Sequence, residues 1–233
     1  MKYEILDYQL PTIKEIPSYQ NGTEIIMREN HVLIPDLINA TLPLYHDAFQ
    51  TGVWKENLTE AEIRDRLSYC FNKQFTGYWL LHPQDPDLVL GASWYESTDL
   101  TILANERRSQ NGVALTQFLS KELNSTPNLM LLWHRETLVH PLAQGRGLAK
   151  KLKGVIFKLL QGLSDSYHVP ILVATRMRDD NHAIIYINNQ FGMQRTGVLH
   201  PASQNELNLL NNPEPINHEY WIKYFQPQSI VPN

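Results

Sequence analysis

Apolar residues recur at helical spacing in several stretches and gather into short runs in others. The most regular stretch follows Gly147. Leu148, Ala149, Leu152, Val155, Ile156, Leu159, Leu160 and Leu163 advance in steps of one and three, which lays them on one helix face. Lys150, Lys151, Lys153 and Lys158 fall mostly off that stripe and are expected on the solvated side. A second helix is expected after Thr59, with Glu62 completing a capping box and Ile63, Leu67, Cys70 and Phe71 facing the core. Ile34 to Gln50 also has helical spacing, with Pro43 inside it. Asp179-Asp180-Asn181 supplies caps for a further helix ending near Gly192. Val113 to Leu123 has helical spacing between polar, loop-like flanks.

Strands read differently. Thr23 to Met27 is a short one. Gly77 to Leu81 and Leu88 to Tyr95, joined across His82-Pro83-Gln84-Asp85-Pro86-Asp87, read as a hairpin. Leu129 to Trp133 opens a buried strand that runs to about Val139, and Ile171 to Thr175 is a continuous apolar run of the fully buried kind. Gly197 to Leu199 and Tyr220 to Phe225 close the series. Pro11, Pro17 and Gly22 break up the first twenty-odd residues, read as an edge strand and a loop. The order is strand, helices, hairpin, strand, helix, strand, helix, strand, strand. That predicts one mixed α/β (α+β) domain over residues 1–233, with 1–22 as an N-terminal extension and 98–128 as an insertion.

Composition narrows the picture. The chain has 233 residues, 42% of them hydrophobic and 19% charged, which is globular and not disordered or fibrous. A formal charge of −4 argues against a nucleic-acid partner. The single cysteine, Cys70, excludes an internal disulfide and a cysteine-based zinc site; a core role is expected for it. The nine histidines show no spacing with carboxylates that points to a metal. No run approaches the roughly 18 to 20 apolar residues of a membrane span, and the first residues carry no signal-like apolar core. A soluble, cytoplasmic protein, monomeric or homodimeric, is expected.

The candidate chemistry lies where a strand ends, a glycine loop follows and the long helix begins. Glu136-Thr137-Leu138-Val139-His140-Pro141-Leu142-Ala143-Gln144-Gly145-Arg146-Gly147-Leu148-Ala149 has that form. Such a loop aims unpaired N–H groups at one point, the helix dipole reinforces them, and glycine lets an anion approach the backbone. Arg146, Lys150 and Lys151 add positive charge at the same end. A P-loop needs lysine and serine or threonine after its last glycine, where Leu148 and Ala149 stand. A dinucleotide fingerprint needs a small residue where Lys150 stands.

Gln144-Gly145-Arg146-Gly147-Leu148-Ala149, preceded by Val-His-Pro and followed by a long helix, resembles the acyl-CoA loop of the GNAT-type N-acetyltransferases. Downstream, Asn181-His182-Ala183-Ile184-Ile185-Tyr186-Ile187-Asn188-Asn189-Gln190-Phe191-Gly192-Met193 resembles a pattern of one subgroup of that family, and Lys153 fits the same subgroup. The resemblance covers roughly residues 129 to 199. It implies a central, mostly antiparallel sheet with helices on both faces and two strands that splay around acetyl-CoA. It implies that the backbone of Leu138 and Val139 pairs with the pantetheine arm. Gln144, Gly145, Arg146, Gly147, Leu148, Ala149 and Lys150 would hold the pyrophosphate, and Asn181 would contact the cofactor, although a plain helix-cap role for Asn181 is equally open. An acceptor amine, expected on a small molecule, would attack the thioester directly, with a strand N–H near Val139 stabilising the oxyanion.

Many relatives carry a tyrosine on the second helix as general acid. In this register Asn188 stands there, and Tyr186, about 200° around the helix, cannot simply replace it. For the base that removes the amine proton, Glu136 is the first candidate and His134 the second. Strict alternation puts these two on one strand face, with Arg135 and Thr137 on the other, unless a bulge intervenes. A structural carboxylate and a core histidine are the competing readings. Trp94, Tyr95 and Trp133 either flank an acceptor pocket or are ordinary core aromatics. The alternative to an enzyme is a GNAT-fold module that binds acyl-CoA without turnover.

Overall fold

The computed structural model describes residues 24–28, 34–51, 58–71, 75–82, 85–106, 110–201 and 216–228. Among these residues seven strands form one sheet: β1 (Glu24–Arg28), β2 (Phe75–His82), β3 (Asp85–Ser97), β4 (Met130–Val139), β5 (Ile171–Arg178), β6 (Gln194–Pro201) and β7 (Asn217–Phe225), in the order β1-β2-β3-β4-β5-β7-β6. All neighbours are antiparallel except β4 and β5. The helices are α1 (Ile34–Thr51), α2 (Glu60–Phe71), α3 (Leu100–Glu106), α4 (Gln110–Ser125), α5 (Leu148–Tyr167) and α6 (His182–Gln190). The expected class, a mostly antiparallel mixed sheet with helices on both faces, is the one observed. The edge strand expected within residues 1–22 lies outside the described residues.

Side-chain parity assigns the faces. Leu131, Trp133, Leu172, Ala174, Tyr220 and Ile222 pack with Leu103, Leu115 and Leu119 of α3 and α4, while Trp79, Trp94, Ala92 and Leu138 pack under α1 and α2. Their neighbours one residue along, such as Leu132, Val173 and Trp221, meet Leu152, Ile156, Phe157 and Leu160 of α5. Helices α1 to α4 therefore cover one face, and α5 and α6 the other. Trp94 stacks on Trp79 at 6.2 Å and meets Phe71 edge-on, so Trp94, Tyr95 and Trp133 are all buried core aromatics.

Local signals act as expected in several places. Thr59 and Glu62 form a reciprocal cap, Thr59 N donating to Glu62 Oε2 at 2.8 Å and Glu62 N to Thr59 Oγ1 at 3.3 Å. Ile63, Leu67 and Phe71 are fully buried and Cys70 packs against the same cluster. Pro43 sits inside α1. The 98–128 segment holds α4, over the Val113 to Leu123 stretch of helical spacing, and α3, in a flank that reads as loop. Asp99 Oδ1 accepts from Ile102 N at 2.7 Å and caps α3, and Leu103 is its buried anchor.

Candidate active site

Strands β4 and β5 run parallel and pair only from Met130↔Ile171 to His134↔Thr175. β4 continues to Val139, still paired with β3, and β5 continues to Arg178, still paired with β7. The two strands therefore part after His134 and Thr175, and a gap opens in the middle of the sheet. His140 N donates to Leu90 O at 2.9 Å. Alternation then turns the amides of His140 and Leu138 toward β3, and those of Val139 and Thr137 into the gap. Of the pair expected to meet a ligand's arm, Val139 faces the gap and Leu138 does not. Gln144 Nε2 donates to Val139 O at 3.2 Å, tying the glycine loop to the lip of the gap.

The loop leaves β4 through a single 3-10 turn, Pro141–Ala143, and enters α5. Gly145 and Gly147 both have φ of +73°, a conformation in which a side chain is strained, and a Cβ on either would meet nothing within 4 Å. Gly147 is the N-cap of α5 and gives it no side-chain hydrogen bond. The first-turn amides of a twenty-residue helix thus face open space, in front of exposed Gln144, Arg146 and Lys150. Leu148 and Ala149 are half-buried behind them.

A register shift between Trp94 and Tyr95 places Tyr95 opposite His134 and Trp94 opposite Glu136, so Arg135 is the extra residue of a β-bulge. This corrects the strict-alternation expectation. His134 turns toward α5, where Nε2 lies 3.1 Å from Ser93 Oγ, 3.0 Å from Thr137 Oγ1 and 3.0 Å from Glu136 O. Burial, with the Lys153 ammonium beside it, holds its imidazole well below the usual range, so it is neutral. Glu136 lies opposite Trp94, on the face covered by α1 and α2. The structure does not bring the two candidate bases together. On Glu136's side, Arg135 pairs with buried Glu96 and lies 5.8 Å from the Tyr69 ring.

Helix α6 begins at Asn181, whose Oδ1 accepts from Ile184 N at 3.3 Å, the helix-cap role. Asn188 is fully buried between α6 and the sheet. Tyr186 is 62% exposed, with Gln190 Nε2 donating to its hydroxyl, and stands about 200° around α6 from Asn188. Among the described residues there is no cluster of metal-ligating side chains, and no helix is long and apolar enough to cross a membrane.

No protein-family model and no curated protein sequence matches the chain. Solved structures match it over nearly its whole length. A GNAT superfamily phosphinothricin acetyltransferase from Sinorhizobium meliloti, in complex with AcCoA, is 14% identical, with 89% of this chain and 95% of that one covered and a TM-score of 0.52. The ribosomal-protein-S18-alanine N-acetyltransferase from Escherichia coli is 9% identical, over 90% and 99%, with a TM-score of 0.53. An N-acetyltransferase from Staphylococcus aureus Mu50 is 13% identical, over 87% and 99%, with a TM-score of 0.52. The fold is that of the GNAT-type N-acetyltransferases.

Within this GNAT fold, Lys153 also departs from its expected place. Lys153 was expected on the solvated side of α5, yet it is 1% exposed. Its Nζ donates to Asn188 Oδ1 and lies 3.5 Å from Met193 Sδ. Burial pushes its ammonium down to about 7. The signal was present: Phe157, four residues on, also faces the core, so the buried stripe is Leu152, Lys153, Ile156, Phe157 and Leu160. Lysine lies inside it.

Proposed function

We propose that this protein is an acyl-CoA-dependent N-acetyltransferase that moves the acetyl group of acetyl-CoA to a primary amine, on a small molecule. The observation that carries this reading is the gap between β4 and β5 ending at an uncapped helix N-terminus. A strand edge with free amides is suited to an amide-rich pantetheine arm, and Val139 and Thr137 present such an edge. The N–H groups around Gly145 to Ala149 suit a pyrophosphate, with Arg146 and Lys150 adding charge. The S. meliloti neighbour has AcCoA bound, which supports the same ligand here. The E. coli neighbour is named for a ribosomal-protein acceptor, and a panel of amines set against peptide acceptors tests the small-molecule assignment.

In this reading the amine attacks the thioester carbon directly. Glu136, on the α1–α2 face of the parted strand, takes the proton the amine sheds. A gap-facing amide near Val139 steadies the oxyanion. His134, neutral and held by Ser93 and Thr137, serves the strand's geometry and gives way to Glu136 as base.

The test begins with binding. Acetyl-CoA at 100 times its dissociation constant stabilises the fold by about 2.7 kcal/mol, read as a rise in Tm. Gly147→Asp places a carboxylate where the pyrophosphate belongs and abolishes that rise. A folded Gly147→Asp variant with an unchanged rise rules out the loop as the binding site. CoA release over a panel of amines then separates an enzyme from a module that only binds.

A further inference from the structure

Lys153 lies at the closed end of the gap. It is near enough to His134, the last β4 residue paired with β5, to depress that imidazole. Asn188, its partner, reaches Met177, which stands two residues past the last β5 pair. The groups around Lys153 are neutral or cationic. α6 offers the Asn188 amide, the segment after it the Met193 thioether, and α5 the Phe157 ring at 5.6 Å. β4 presents His134, itself 4.6 Å from the Tyr95 ring of β3, and β7 presents Lys223, itself 5.8 Å from the Phe157 ring. None of these is a carboxylate.

The hydrogen-bond inventory fixes Asn188. A lysine ammonium only donates, so the amide must turn its oxygen to Nζ and its NH2 group the other way. Nδ2 then donates to Met177 Sδ at 3.2 Å. An N–H group thus donates to a buried sulfur atom two residues past the last β4–β5 pair, and no carboxylate among the described residues pairs with the cation behind it. A thiolate that takes the place of the Met177 thioether as acceptor meets both.

Resting on the acetyl-CoA reading above, we propose that Lys153 is a positioning residue for the departing CoA sulfur. It locks Asn188 so that Nδ2 donates to the thiolate, and it sets a positive charge behind that bond. The acceptor nitrogen forms the new C–N bond, and the C–S bond breaks with its electron pair passing to sulfur. The thiolate later takes a proton from solvent, balancing the one the nitrogen sheds. A tyrosine acid is then unnecessary at position 188.

The test uses the whole protein and needs no acceptor. The thiol pKa of bound CoA is read from thiolate ultraviolet absorbance, and affinity is measured in parallel with desulfo-CoA, which lacks the sulfur. Bound to the wild type, the thiol titrates about one unit or more below its free value of about 8.5, as one coupled system with Lys153. Lys153→Met and Lys153→Gln both return it toward the free value while desulfo-CoA affinity stays unchanged. The glutamine variant retains a donor for Asn188 and carries the test if the methionine variant does not fold. An unchanged thiol pKa in a variant that binds desulfo-CoA overturns the proposal. So does loss of desulfo-CoA binding, which marks Lys153 as part of the architecture. A wild type that binds neither CoA nor desulfo-CoA overturns the acetyl-CoA reading itself.

Discussion

The two faces of the sheet each bury a cation beside the parted strands, and they treat it differently. On the α1–α4 face, Arg135 enters through the bulge of β4 and meets Glu96, so the charge is balanced within the protein. On the α5–α6 face, Lys153 meets an amide, a thioether and an aromatic ring. A balanced pair is complete without a ligand. An unbalanced cation raises the energy of the empty site and lowers that of a site holding an anion. The difference separates a charge that holds the strand in shape from one that suits a ligand.

The largest consequence is a pH dependence of stability. Lys153 titrates at about 7 in the folded chain against an ordinary 10.5. Between those values the unfolded chain binds more protons, so stability rises with pH through this window and is flat below it for this group. The full excursion amounts to on the order of 5 kcal/mol. His134, also depressed, acts below about 6.5. Tyr78, pushed up to about 12, Tyr95 and Tyr224 act above about 10, where they lower stability. Lys223 shifts in the same direction as Lys153 but is only half-buried and leaves a small residual slope. Urea unfolding from pH 6 to 10 shows the rise in wild type and its near loss in Lys153→Met. An equal rise in both sinks the claim that Lys153 is a buried, unbalanced cation.

Next in size is the balanced pair. Arg135→Ala takes the guanidinium from a carboxylate that is 1% exposed, and a broken buried pair costs about 3–5 kcal/mol. The measurement is the urea midpoint at pH 7. A loss under about 1 kcal/mol, the scale of a surface ion pair, erases the contrast between the faces.

What the sequence revealed follows from how local each signal is. The Thr59–Glu62 box, the Asn181 cap and the positive-φ glycines at 145, 147 and 192 are set by neighbours in the chain, and each was readable there. So was the glycine loop of residues 144–149, which lies between the end of β4 and the start of α5. The bulge at Arg135 was not. It is an agreement between β3 and β4 about which residue to leave out, and no glycine marks it. That is why Glu136 and His134 part company. Helix α3 escapes the sequence because it is only seven residues long, barely two turns, and its cap and anchor, Asp99 and Leu103, are too few to show a helical period. Lys153 was misplaced because residue type outweighed geometry. Its spacing to Ile156 and Phe157 put it on the buried stripe, and only its charge argued for solvent.

The smallest effect belongs to the tyrosine of α6 and sharpens the comparison from the other side. Tyr186 and Asn188 are two residues apart, so the helix turns them to nearly opposite sides. Asn188 is buried against Lys153, whereas Tyr186 is 62% exposed and its hydroxyl accepts from Gln190. Removing an exposed hydroxyl changes stability by less than about 0.5 kcal/mol. Tyr186→Phe is therefore expected to keep the wild-type urea midpoint, acetyl-CoA affinity and bound-CoA thiol pKa, all three measured beside Lys153→Met. The same holds for the rate with any amine that proves to be an acceptor. A drop of about tenfold in that rate, a loss of about 1.4 kcal/mol of transition-state stabilisation, requires α6 to bring Tyr186 to the sulfur. Asn188 would then leave Lys153, and the unbalanced cation would lose the partner on which its assigned role depends.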